Sequence, residues 1–146
     1  MSNLATYTEG MTTCQQTAFT AAIRNPMHVI SGPAGTGKTF VIDRLVRYFE
    51  ARGKRVVLAA PTGKAAKRME QVTGKRAYTI HRLLGFNGTE FVLGPDDPVQ
   101  ADVVIVDEVS MLDVPLGYHL LRAIDIETTR VILCGDHAQL PPVGPG

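Results

Sequence analysis

Four short apolar runs punctuate the chain, each closing on a small, polar or charged residue. They are HVISG (28–32), VVLAAP (56–61), VVIVDE (103–108) and VILCGD (131–136). Rich in β-branched residues and without alternation, they have the pattern of strands buried on both faces of a parallel sheet. Between the first two, KTFVIDRLVRYFEARG spaces Val41, Leu45 and Phe49 four apart, which predicts a helix that Gly53 can stop. PTGKAAKRMEQVTG predicts a second helix ending at Gly74. TTCQQTAFTAAIRN predicts one before the first strand, capped by Thr12 or Thr13. With a further helix between the third and fourth runs, strand and helix alternate. That order predicts a single α/β domain: a mostly parallel sheet, right-handed crossovers and helices on both faces. Two segments stand apart. Residues 1–10 are expected to be flexible. Residues 85–100, GFNGTEFVLGPDDPVQ, carry turn-forming Asn87-Gly88 between Phe86 and Phe91 and predict an inserted hairpin or loop.

Composition narrows the class only slightly. No apolar run approaches the ~20 residues needed to cross a bilayer. The opening MSNLATYTEGMTTCQQ has neither a basic nor an apolar leader region, so a cytoplasmic protein is expected. Cys14 and Cys134 are far apart and show no ligand spacing, which suits two reduced thiols. Charge is more informative once mapped. Eleven of the fifteen Lys and Arg residues fall between Asp43 and Arg82, against three acids, while the rest of the chain is acidic. Such asymmetry fits either a solvated helix surface or one face for an anionic partner.

The strongest chemical signal is GPAGTGKT: Gly32, Pro33, Ala34, Gly35, Thr36, Gly37, Lys38 and Thr39. It satisfies G-x-x-x-x-G-K-[ST] and lies between a predicted strand and a predicted helix, the context a phosphate loop requires. Its backbone N–H groups can curl round phosphate oxygens while the helix N-terminus adds its positive end. Lys38 then reaches the β- and γ-phosphates of ATP, and the Thr39 hydroxyl ligates Mg²⁺. VVIVDE supplies the complementary carboxylates. Asp107 is expected to hold Mg²⁺ and Glu108 to deprotonate the attacking water. A kinase for a small acceptor would need an acceptor pocket and a lid. No lid-like segment is evident, which leans towards an ATP hydrolase.

The phosphate loop, APTGKAAKRM, TIHRLLG, DEVSMLD and GDHAQLPPVG occur in the order found in superfamily 1 helicases. Over residues 11–146 the sequence resembles the 5′-to-3′ RecD-like branch first and Pif-type helicases second. The resemblance implies a RecA-like P-loop NTPase domain whose apolar runs lie side by side in the order VVLAAP, VVIVDE, VILCGD, HVISG. It also implies residue roles. Gln15 matches the glutamine that reads the adenine edge, although neighbouring Gln16 leaves the register open and either could be an ordinary surface amide. Gln139 matches the γ-phosphate sensor that couples hydrolysis to DNA. Pro61, Thr62, Gly63, Lys64, Thr79 and His81 match segments lining single-stranded DNA. Lys67 and Arg68 lie beside them, and Arg76 and Arg82 are further candidates. His81 could equally be a half-buried histidine.

The expected function is therefore an ATP-driven motor domain that moves along single-stranded DNA and unwinds duplex. Family members place ATP between two RecA-like domains. The partner domain is expected outside these residues, in the same chain or another subunit. Alone, the domain is expected to hydrolyse ATP poorly. The alternatives are a stand-alone ATP-dependent DNA-binding or regulatory module and a P-loop kinase. In relatives a hairpin at the position of residues 85–100 can act as a pin at the duplex junction. Phe86 and Phe91 would then be stacking groups or anchors of the hairpin.

Overall fold

The computed structural model describes residues 4–32 and 38–136. Its elements run α1 (Leu4–Thr8), α2 (Thr13–Arg24), β1 (Met27–Gly32), α3 (Lys38–Ala51), β2 (Val56–Ala60) and α4 (Gly63–Thr73). There follow β3 (Ala77–Thr79), α5 (Ile80–Leu83), β4 (Val103–Val106), α6 (Val114–Arg122) and β5 (Arg130–Asp136). Among the described residues the strands form one sheet in the order β1-β5-β4-β2-β3, every pairing parallel. All four apolar runs are strands, in the order the resemblance implied. β3 was not anticipated. Its three residues, Ala77-Tyr78-Thr79, are too short to make an apolar run and become a strand by pairing with Leu58–Ala60.

Successive residues of a strand face opposite sides, so a run apolar at every position must be covered twice. Leu58, Ala60, Val103, Ile105, Ile132 and Cys134 pack on one side against α2, α3 and α4, through Phe19, Leu45, Phe49 and Met69. Ala59, Val104, Val106 and Val131 pack on the other against Ile80, Leu84, Leu116 and Leu120 of the α5 and α6 region. Helices thus cover both faces of the sheet, as expected. At the β1 edge Met27 and Val29, in register with Val131 and Leu133, remain 45% and 50% exposed.

Local chemistry explains the helix limits. Thr12 caps α2 reciprocally: its hydroxyl accepts from the Gln15 N–H, and the Gln15 side-chain carbonyl accepts from the Thr12 N–H at 2.9 Å. Thr62 caps α4, and Gly74 ends it in the left-handed region, φ +70°, which an L side chain rarely adopts. Asp113 caps α6 with Pro115 inside its first turn.

Within residues 1–10 the described part begins at Leu4. Leu4–Thr8 form α1, and the Tyr7 ring sits 5.4 Å from Tyr48 and 6.3 Å from Phe19. Residues 85–100, expected to be an inserted small hairpin or loop, lie between α5 and β4. They form two small antiparallel bridges, Phe86 with Phe91 and Gly94 with Asp97. Asn87 organises the first turn by accepting from the Thr89 and Glu90 N–H groups. The end of the loop is tied to the domain by the Val99 N–H, which donates to Ala123 at 2.7 Å.

Candidate functional site

Because every strand runs the same way, the carboxyl ends of all five converge on one rim, where open α/β sheets bind ligands. Gly32 ends β1 beside Asp136 of β5, Asp107 follows β4, Pro61 follows β2, and Thr79 ends β3 beside Ala60. Residues 69 apart in sequence meet here. Lys38, at the start of α3, donates from Nζ to Asp107 Oδ1 at 2.7 Å.

Asp107 is 1% exposed, and burying a carboxylate is costly unless it is paired and hydrogen-bonded. Both requirements are met on one oxygen, which also accepts from the Glu108 N–H at 2.8 Å. The Asp107 N–H in turn donates to Ala59 on β2, continuing the ladder just past the end of β4. Cys134 is fully buried on the neighbouring strand. Burial, reinforced by the negative charge of Asp107 and opposed by Lys38, pushes its thiol well above the usual range. Cys134 therefore behaves as a small neutral spacer beneath the charged pair, while Cys14 is exposed.

Glu108 is the one non-glycine residue with positive φ among the described residues, at φ 57° and ψ 42°. That conformation costs roughly 1–2 kcal/mol for an L side chain. It turns the chain sharply from the strand end into the 3₁₀ turn Val109–Met111. Strained backbone of this kind persists only where the surrounding structure holds it. The Glu108 carboxylate pairs with Arg68 of α4, with Nη1 to Oε1 at 3.2 Å. Sequence reasoning placed Arg68 with a basic group beside Thr62 and missed this contact. Its partner lies 40 residues away, and no local pattern marks it.

Thr39 follows Lys38 in the first turn of α3 and is half-buried. Pro33, Ala34, Gly35, Thr36 and Gly37 lie outside the described residues, as does Gln139. Gln15 is half-buried and acts as the second half of the α2 capping box, a role its motif match did not suggest. Gln16 is exposed and donates to the Met11 carbonyl at 3.3 Å.

The two segments that resemble single-stranded DNA contacts leave adjacent strands. Thr62 and Thr79 do the same local job: each hydroxyl accepts from the N–H three residues on, Ala65 and Arg82, at 3.2 Å. A hydroxyl that accepts still carries a proton to donate. Between α4 and the β3–α5 corner runs a groove lined by Gly63, Lys67, Arg76, Tyr78, Thr79 and Arg82, with Glu70 at its side. Lys64 stands exposed in the first turn of α4. Arg76 lies over the Tyr78 ring at 5.0 Å, which joins the two into one platform.

His81 is exposed, which rules out the half-buried reading. Its ring meets Phe86 edge-on at 5.2 Å and lies 5.7 Å from Phe91. Phe91 continues to His119 at 4.6 Å and packs against the second core face, so it anchors the loop. Phe86 remains 41% exposed.

Comparison with known proteins follows this geometry. The AAA domain family matches residues 15–145. The chain is 45% identical over 118 residues to the ATP-dependent RecD2 DNA helicase of Deinococcus radiodurans, covering 81% of this chain and 16% of that protein. It is 36% identical over 161 residues to the RecBCD enzyme subunit RecD of Haemophilus influenzae, covering 90% of this chain and 24% of that subunit. Among solved structures, the Pif1 helicase of Candida albicans superposes with a TM-score of 0.61 at 21% identity. That match covers 92% of this chain and 34% of that one, and it shows the RecA-like P-loop fold. The chain thus spans a quarter or less of the two sequence relatives' lengths. Among the described residues no helix is long and apolar enough to cross a membrane. The chain belongs to the AAA domain family, and its sequence is similar to RecD-like helicases.

Proposed function

We propose that this chain is the ATP-binding motor domain of a cytoplasmic DNA helicase, which hydrolyses ATP to move along single-stranded DNA and separate duplex. The observation that carries the reading is the 2.7 Å contact of Lys38 with buried Asp107, on the same sheet rim that opens into the basic α4 groove. Nucleotide chemistry and a track for an anionic polymer thus share one edge.

The donor set fits a nucleoside triphosphate with a divalent cation: an ammonium, a hydroxyl at a helix start and a buried carboxylate. Thr39 and Asp107 would hold Mg²⁺, which offsets charge on the phosphate oxygens when bound. Lys38, already held at the rim by Asp107, turns to the β- and γ-phosphates, cradled by Gly32, Pro33, Ala34, Gly35, Thr36 and Gly37. Glu108 orients the attacking water and accepts its proton. Gln139 senses the γ-phosphate. Gln15 reads the adenine edge only by exchanging its bond to the Thr12 N–H, so exposed Gln16 is the second candidate.

Pro61, Thr62, Gly63, Lys64, Thr79 and His81 carry the DNA strand. Hydroxyls, helix-start N–H groups and lysine suit phosphate oxygens. A second RecA-like domain, in the same polypeptide or another subunit, supplies arginines to the γ-phosphate. One such arginine is worth ~10³–10⁵ in rate. The 85–100 loop serves as the pin, Phe91 holding it and Phe86 meeting the bases.

Steady-state ATP turnover with and without oligo(dT) tests the reading in the full-length enzyme. DNA-stimulated turnover that disappears in Lys38→Ala is expected. Turnover indifferent to DNA, with phosphate passed to a small acceptor, would replace the motor by a kinase. DNA binding and hydrolysis without unwinding would leave a regulatory module.

A further inference from the structure

Arg68 links the proposed general base to the exposed basic face of α4. Its guanidinium reaches Glu108 Oε1 at 3.2 Å, yet the Arg68 side chain is 51% exposed while that of Glu108 is 17% exposed. Arg68 therefore offers its remaining donors to solvent. A guanidinium presents five N–H donors in a planar fork, matched to carboxylate and phosphate alike. On α4, Lys64 stands four residues before Arg68 and so shares its face, with Lys67 alongside; all three are exposed. The same helix starts at Thr62-Gly63 and forms one wall of the basic groove. Glu108 sits at the other end of this contact on a strained left-handed backbone, next to Asp107. Where its carboxylate points depends on what holds it.

We infer that Arg68 is a positioning residue shared between Glu108 and the nucleic-acid backbone. Without nucleic acid it ties up one oxygen of Glu108. A backbone phosphate that settles on the exposed Lys64–Arg68 face of α4, beside the groove, takes over the guanidinium and releases Glu108 to the attacking water. Arrival of the strand is thus reported to the general base by the exchange of one ion pair for another. No proton is transferred and no covalent bond changes in this step. The inference rests on the helicase reading above.

A double-mutant cycle on oligo(dT) affinity, measured without nucleotide, tests it independently of turnover. Glu108→Gln removes the competitor for Arg68 and is expected to tighten fluorescein-labelled oligo(dT) by about two- to fivefold, as suits an exposed ion pair. In an Arg68→Ala background the same substitution should leave affinity unchanged. Arg68→Lys should keep part of the coupling, because it retains the charge and loses the fork. Equal tightening in both backgrounds would overturn the inference, since Glu108 would then act on DNA by charge alone. Absence of tightening in the wild-type background would overturn it as well. If the unsubstituted protein fails to bind oligo(dT), the nucleic-acid reading itself falls, and this inference with it. Binding without coupling removes only the Arg68 link. In the full-length enzyme, Arg68→Ala should raise DNA-free turnover several-fold at unchanged KM for ATP. An equal loss of turnover with and without DNA would mark Arg68 as merely structural.

Discussion

The Lys38 ammonium and the Asp107 carboxylate meet at 2.7 Å between the first turn of α3 and the end of β4, with Asp107 sealed from solvent. The pair braces the rim. Removing one member of a buried ion pair costs more than removing both, because the survivor is left uncompensated. Lys38 retains some exposure, so Lys38→Ala should lower stability in urea unfolding by about 2 kcal/mol, below the full buried-pair range. A Lys38→Ala, Asp107→Ala double variant should lose less than the sum of the single losses. Fluorescent ATP binding should vanish in both variants carrying Lys38→Ala.

Glu108 combines a strained backbone with a proposed chemical role, which separates the two by substitution. Glu108→Ala and Glu108→Gly both remove the carboxylate and its Arg68 contact. Only glycine tolerates φ 57° without strain. The glycine variant should therefore be more stable than the alanine variant by about 1 kcal/mol. ATP turnover in the full-length enzyme should fall in both, by roughly 10²–10⁴ if Glu108 is the base. Equal stabilities in a thermal melt would contradict the left-handed geometry.

Cys134 makes a pH prediction with a definite sign. Its folded thiol pKa is raised by burial and by Asp107, so the folded chain holds a proton that the unfolded chain releases. Stability from this thiol is complete below the unfolded value, about 8.5, and declines as pH rises beyond it. The slope is about 1.4 kcal/mol per pH unit between the unfolded value and the higher folded one. Urea midpoints of metal-free protein from pH 8 to 10.5 should fall less steeply in Cys134→Ala. A thiol reagent should label Cys14 in the native state and Cys134 only after unfolding.

The aromatic loop predicts a split between stability and unwinding. Phe91 packs on the core and on His119, so Phe91→Ala should destabilise the domain by about 1–3 kcal/mol, as loss of a partly buried ring implies. Phe86 is exposed, and Phe86→Ala should change stability by about 0.5 kcal/mol or less. If the loop is a pin, Phe86→Ala slows strand separation while leaving DNA-stimulated ATP turnover intact. A strand-displacement assay showing unaltered unwinding in that variant would end the pin assignment.

Local chemistry made much of this legible. A phosphate loop is contiguous because successive backbone N–H groups must surround one anion, so GPAGTGKT carries its signal in the sequence alone. The four strands were legible because burial on both faces demands apolar residues at every position. Thr12 and Gly74 were legible because caps act within three or four residues. Less of the edges could be read. β3 has three residues and exists only because β2 offers it a partner. α1 is short and of mixed polarity; what orders it is Tyr7 against Tyr48, a contact 41 positions away.

At the site, the amino-acid sequence by itself determined which side chains are available: one lysine and two adjacent carboxylates, each at the end of a secondary-structure signal. Tertiary structure alone decided their relations. Parallel pairing of β4 between β2 and β5 carries Asp107 to the same rim as Lys38. The β2–β3 register carries Thr79 to the rim where Pro61 and Thr62 leave β2. The packing of α4 brings Arg68 to Glu108 across 40 residues. Side chains that distant have no periodicity linking them, and an ion pair leaves no trace in the spacing of its members. Burial patterns are written along the chain, whereas charge partners are chosen in space.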